Sequence, residues 1–110
     1  MDHPRNSIEL LTRLTELETL LSDDPSREWD LQRQFYFGVL TLYQGQIKMA
    51  KNDPETAKRI FFLLQTDKPL TEDDAANVRD AAAIKKRISA RLKELKAQGR
   101  YRPVRVKLDW

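Results

Sequence analysis

Residues 71–99 read TEDDAANVRDAAAIKKRISARLKELKAQG. Val78, Ala81, Ile84, Ile88, Leu92 and Leu95 recur there at three- and four-residue spacing. That period places them on one side of an amphipathic α-helix. Thr71 is a cap that accepts a free backbone N–H, and Asp74 occupies the capping-box position three residues on. Gly99 ends the helix, because glycine tolerates the left-handed conformation that closes a C-terminus.

The same reading extends towards the N-terminus. Leu10, Leu11, Leu14, Leu17 and Leu21 make one apolar stripe over 8–21, capped by Asn6 or Ser7. Asp24-Pro25 opens a second helix that runs to about residue 52, since proline suits a first turn. It carries two stripes: Trp29, Tyr36, Val39, Leu40, Tyr43, Ile47 and Ala50 on one side, and Leu31, Phe35, Leu42 and Met49 on an adjoining one. A helix apolar over so much of its circumference belongs in the middle of a bundle. Asp53-Pro54 repeats the start signal for a short third helix to about residue 65, with Ala57, Ile60, Phe61 and Leu64 inward. The expected fold is all-α: a four-helix bundle over residues 1–99, with two long and two shorter helices.

Residues 100–110 change period. Val104, Val106, Leu108 and Trp110 alternate with Arg105, Lys107 and Asp109, which predicts a short extended tail. Its four apolar side chains would project to one side. They either pack back onto the bundle or dock on a protein partner.

Composition narrows the chemistry. The chain has 110 residues and no cysteine, which excludes disulfides and thiolate metal sites. Its single histidine, His3, sits beside Pro4 near the start, and its three glycines form no phosphate loop. The pairs Asp23/Asp24 and Asp73/Asp74 lie at helix starts, where free N–H groups stabilise carboxylates, so capping explains them better than metal binding. The expectation is a protein that is not an enzyme, with no cofactor and no metal. No long apolar run marks a membrane span or signal peptide near the start, and a cytoplasmic location is the default.

Charge is the strongest functional signal. The net charge of +3 conceals ten basic residues and one acid, Glu94, between Lys85 and Lys107. Before that segment, residues 1–84 hold fifteen acids against ten basic residues. The candidate nucleic-acid-binding residues are Lys85, Lys86, Arg87, Arg91, Lys93 and Lys96 on the last helix, followed by Arg100, Arg102, Arg105 and Lys107. Tyr101 among the arginines is placed to stack on a base. On a helical wheel, Lys86 and Lys96 are expected at one edge of the apolar stripe, Arg91 and Lys85 at the other, and Arg87 with Lys93 on the outer back. The competing explanation is a solvated helix whose cations favour its negative end or pair with acidic helices of the same bundle.

A second pattern lies in the middle of the chain. Gly45, Ala57, Phe61 and Pro69 have the spacing of the small, aromatic and proline positions of a tetratricopeptide repeat, so this third of the chain resembles one such helical hairpin. Thr41 and Gln44 stand where the motif has its aromatic and leucine, and the pattern does not recur one period later, so an ordinary hairpin accounts for it better.

Together these readings predict a helical accessory subunit that grips the phosphate backbone of DNA or RNA within a larger nucleoprotein assembly. The alternative is a protein-binding adaptor or inhibitor that uses the hairpin, the tail (Val104, Val106, Leu108, Trp110) or both. The two apolar stripes of the second helix also leave a homodimer open.

Overall fold

The computed structural model describes residues 3–50, 52, 53, 55, 59 and 71–105. Among them are three helices and no strand: α1 (Ser7–Leu20), α2 (Arg27–Ala50) and α3 (Glu72–Ala97). The short helix expected before residue 65 lies almost wholly outside the described residues, as do Ala57, Phe61 and Pro69. No described helix is long and apolar enough to cross a membrane.

Each helix begins with a side-chain cap. Asn6 accepts from the Glu9 N–H, and Thr71 and Asp74 form the expected capping box. Ser7, the other cap considered for α1, is instead buried and joins the starts of two helices. Its hydroxyl donates to Asp74 and accepts from the Asn77 amide. The start of α2 differs from expectation. Ser26 is the cap, accepting from the Trp29 N–H at 3.0 Å, and Asp24-Pro25 stand ahead of it in the connection. A serine oxygen directly before the first turn reaches that N–H, whereas Asp24 is two residues too early. At the far end of α3, Gly99 takes φ +75°. The Arg100 N–H then bonds the Leu95 carbonyl and the Gly99 N–H bonds that of Lys96, the two bonds of a Schellman closure.

The order of contacts fixes the helix directions. Ser7 meets Asp74, Glu18 meets Arg87 and Asp23 meets Arg91, so α1 and α3 run parallel. The six-residue connection from Leu21 to Ser26 turns α2 antiparallel to both. The Trp29 indole N–H donates to the Leu17 carbonyl at 3.0 Å, satisfying one of the acceptors left over in the last turn of α1.

Three leucines of α1 (Leu10, Leu14, Leu17) and all six expected residues of α3 are buried. From α2 come Trp29, Tyr36, Val39, Leu40 and Tyr43 as expected, together with Phe37 and Gln46, which the two-stripe pattern did not include. Ala50 is exposed, and Leu31, Phe35, Leu42, Ile47 and Met49 are half-buried. Each large apolar side chain taken fully out of water stabilises the fold by roughly 1.5–3 kcal/mol before ordering costs.

Candidate nucleic-acid interface

The basic segment divides by direction around α3. One edge faces α1. There Arg87 donates through Nε and Nη2 to both carboxylate oxygens of Glu18, at 2.7 and 2.9 Å. This forked pairing holds the Glu18 carboxyl below the usual carboxylate range, against a weaker opposing effect of burial. Arg91 donates to Asp23 at 2.8 Å and to Glu94 at 3.0 Å. Arg100 lies 3.7 Å from the other oxygen of Asp23. Three guanidiniums of the run thus have carboxylate partners within the molecule. On the side towards α2, the Lys85 ammonium sits 5.4 Å from the centre of the Phe37 ring, and Arg33 sits 5.3 Å from the same ring.

The outer face carries different residues. A helix advances about 100° per residue, so positions seven apart fall within about 20° of each other. Arg79, Lys86 and Lys93 follow that spacing and are all exposed. Between them on this face stand short side chains, Ala82, Ala83, Ser89 and Ala90. No ion pair to Arg79, Lys86, Lys93 or the exposed Lys96 occurs among the described residues. The wheel positions expected from the sequence change accordingly. Lys86 belongs to the outer face and not to an edge, and Arg87 lies at the α1 edge and not on the back. The cause is the helix period. Lys86 stands two residues, about 200°, from both buried Ile84 and Ile88, whereas Arg87 is about 100° from Ile88, on the flank where α1 brings Glu18. Lys85, expected on the same edge as Arg91, lies on the opposite one, towards α2. Arg79 was missed because Asp80 follows it and the charge count began at Lys85; its seven-residue offset from Lys86 was the available signal.

The tail begins by folding back on α2. Tyr101 is buried, and its hydroxyl donates to Asp30, itself only 2% exposed. Asp30 also accepts from the Val104 N–H at 2.7 Å, the Arg33 guanidinium at 2.8 Å and the Gln34 amide at 2.9 Å. The same Gln34 amide donates to the Val104 carbonyl at 2.6 Å, so both backbone groups of Val104 are held by α2. Burial alone would raise the Asp30 pKa, but the donors from Tyr101, Val104 and Arg33 outweigh it and hold the carboxylate below its ordinary value. Burial, reinforced by Asp30, pushes the Tyr101 phenol up to about 12. The expected stacking role of Tyr101 is therefore corrected: its ring is inside the molecule and has no open face. Arg102 and Arg105 are exposed and Val104 is half-buried, while Val106, Lys107, Leu108 and Trp110 lie outside the described residues.

The arrangement offers multiple fixed cations and little else. The imidazole of His3 contacts the Pro4 carbonyl at 3.0 Å and lies in a T-shaped arrangement with the Phe35 ring. Among the described residues no cluster of three metal-binding side chains occurs. No protein-family model matches the chain, and no curated protein or solved structure matches it.

Proposed function

We propose that the protein is a non-enzymatic accessory subunit that binds the phosphate backbone of nucleic acid through the outer face of α3. The observation that carries this reading is the row Arg79, Lys86, Lys93, exposed, without carboxylate partners among the described residues, and separated only by alanine and serine. Lysine ammoniums act as point charges on phosphates. The short neighbours allow a backbone to approach them without steric obstruction. Such contacts position a protein without reading bases, which suits a subunit of a larger nucleoprotein assembly. Lys96 extends the row along α3, and Arg102 and Arg105 extend it beyond Gly99.

The test is binding of mixed-sequence DNA and RNA by fluorescence anisotropy between about 50 and 200 mM salt, where phosphate-dominated affinity falls steeply. Charge reversal by Lys86→Glu, Lys93→Glu and Lys96→Glu abolishes binding with helicity intact. Absence of binding to either polymer at the lowest salt overturns the reading. The same lysines also suit an acidic protein partner. A stoichiometric partner that survives nuclease treatment in a lysate pull-down, with no nucleic acid bound by the pure protein, establishes that alternative.

A further inference from the structure

The internal contacts of the basic segment sort its residues by chemistry. Groups that stack on unpaired bases are planar: aromatic rings and guanidiniums. In the segment from Lys85 to Arg100 every guanidinium is engaged by a carboxylate at the surface, Arg87 by Glu18, Arg91 by Asp23 and Glu94, and Arg100 by Asp23. The ring of Tyr101 is sequestered against Asp30. What faces outward at the centre of the row is ammonium, Lys86 and Lys93. The planar cations left outside stand at the margins: Arg79 at one end, and Arg102 and Arg105 beyond the helix.

A face of that kind draws its affinity from counterion release alone. Duplex DNA carries one charge per about 1.7 Å of axis, and each neutralised phosphate on it releases more counterion than one on a single strand. The row is also stiff, because it lies within one continuous helix of 26 residues. From Arg79 to Lys93 it spans about 21 Å, the length of about six base pairs. A stiff row of point charges loses little entropy on a stiff polyanion, whereas a flexible single strand must be ordered to follow it. A second copy of this chain is a poor occupant, since it would set Lys86 and Lys93 against like charges. Building on the nucleic-acid reading above, we infer that the outer face of α3 takes double-stranded in preference to single-stranded nucleic acid.

The experiment uses the full chain with a mixed-sequence 20-base-pair DNA duplex, the RNA duplex of the same sequence, and the separated strands of each, at about 50 mM salt. At least one duplex binds about fivefold or more tightly than its own strands. In Lys86→Ala/Lys93→Ala that preference disappears, and the salt slope on duplex DNA falls by about 1.8, the value for two lost phosphate contacts. Single strands bound as tightly as both duplexes overturn this inference and leave the backbone-binding reading standing. A duplex preference untouched by the double substitution overturns the assignment to this face. Failure of every probe to bind overturns both the inference and the reading it rests on.

Discussion

The outer face of α3 and the junction of its tail with α2 are built on opposite rules. At the junction, one buried carboxylate, Asp30, gathers four donors from Tyr101, Val104, Arg33 and Gln34. On the outer face, Arg79, Lys86 and Lys93 have no ion-pair partner among the described residues. A buried charge is tolerated only when its partners are complete, so every group at the junction is tied to the stability of the fold. Exposed charges carry no such obligation. The proposed binding and the stability of the fold are thus expected to be separable by position, each perturbed with little effect on the other.

The largest effect belongs to Asp30. Asp30→Ala leaves the Tyr101 hydroxyl, the Val104 N–H and the Arg33 guanidinium without their shared acceptor. Removing one member of a buried charged network costs about 3–5 kcal/mol. For a chain of this size that lowers the melting temperature by more than about 10 °C. A melting temperature within a couple of degrees of wild type would break the contrast. Asp30→Asn, which keeps an acceptor but loses the charge, is expected to fall in between.

Titration sharpens the same contrast. The Tyr101 phenol, pushed up to about 12 in the folded protein, holds its proton more tightly than in the unfolded chain. Its contribution is fully present below about pH 10 and is lost as pH rises towards 12. Two units correspond to roughly 2–3 kcal/mol. Denaturant melts of wild type should lose that much more stability between pH 9 and about 12 than melts of Tyr101→Phe. Parallel curves would place the phenol outside the network. Asp30 acts at the other extreme with the opposite sign. Its depressed pKa contributes stability above about pH 4, lost as pH falls through the lowered value. Asp30→Asn should flatten that acid limb.

How far the sequence discloses these regions depends on whether the signal is periodic. The core face of α3, the capping box at Thr71 and the stop at Gly99 were all legible, because each is a local pattern with one physical solution. Asp30 was not. In the sequence it is an acid in the first turn of a helix, where a solvated carboxylate is ordinary. Its partners Tyr101 and Val104 lie more than seventy residues away, and only the return of the chain past Gly99 brings them together. Tyr101 was misread for the same reason: the arginines beside it report local charge, not the direction of its ring. The basic run was legible as charge, but its division was not. Which guanidiniums are neutralised depends on Glu18 and Asp23, which α1 and its following turn deliver across the bundle.

Between the two extremes lies the pairing of Arg87 with Glu18. It is forked, but Arg87 is largely in water and Glu18 is a third exposed. Glu18→Gln should lower the melting temperature slightly at low salt, and the difference should vanish near 1 M salt, where screening acts over about 3 Å. The freed Arg87 then adds a planar cation beside the outer face. Single-strand affinity should rise more than duplex affinity, narrowing the preference between them. An unchanged ratio of the two would show that the pairing does not govern which polymer is taken.

The smallest effect on stability is expected from Lys86→Ala/Lys93→Ala. Neither lysine has an ion-pair partner among the described residues, and both stand in the middle of a helix among alanines. Alanine is the stronger helix former, and removing two like charges two turns apart relieves a little repulsion. The melting temperature should therefore hold or rise slightly, while nucleic-acid affinity falls. That combination separates a surface kept for binding from one kept for folding. A clear drop in melting temperature would mean that these lysines secure part of the fold. The division between a junction that stabilises and a face that binds would then fail at its second half.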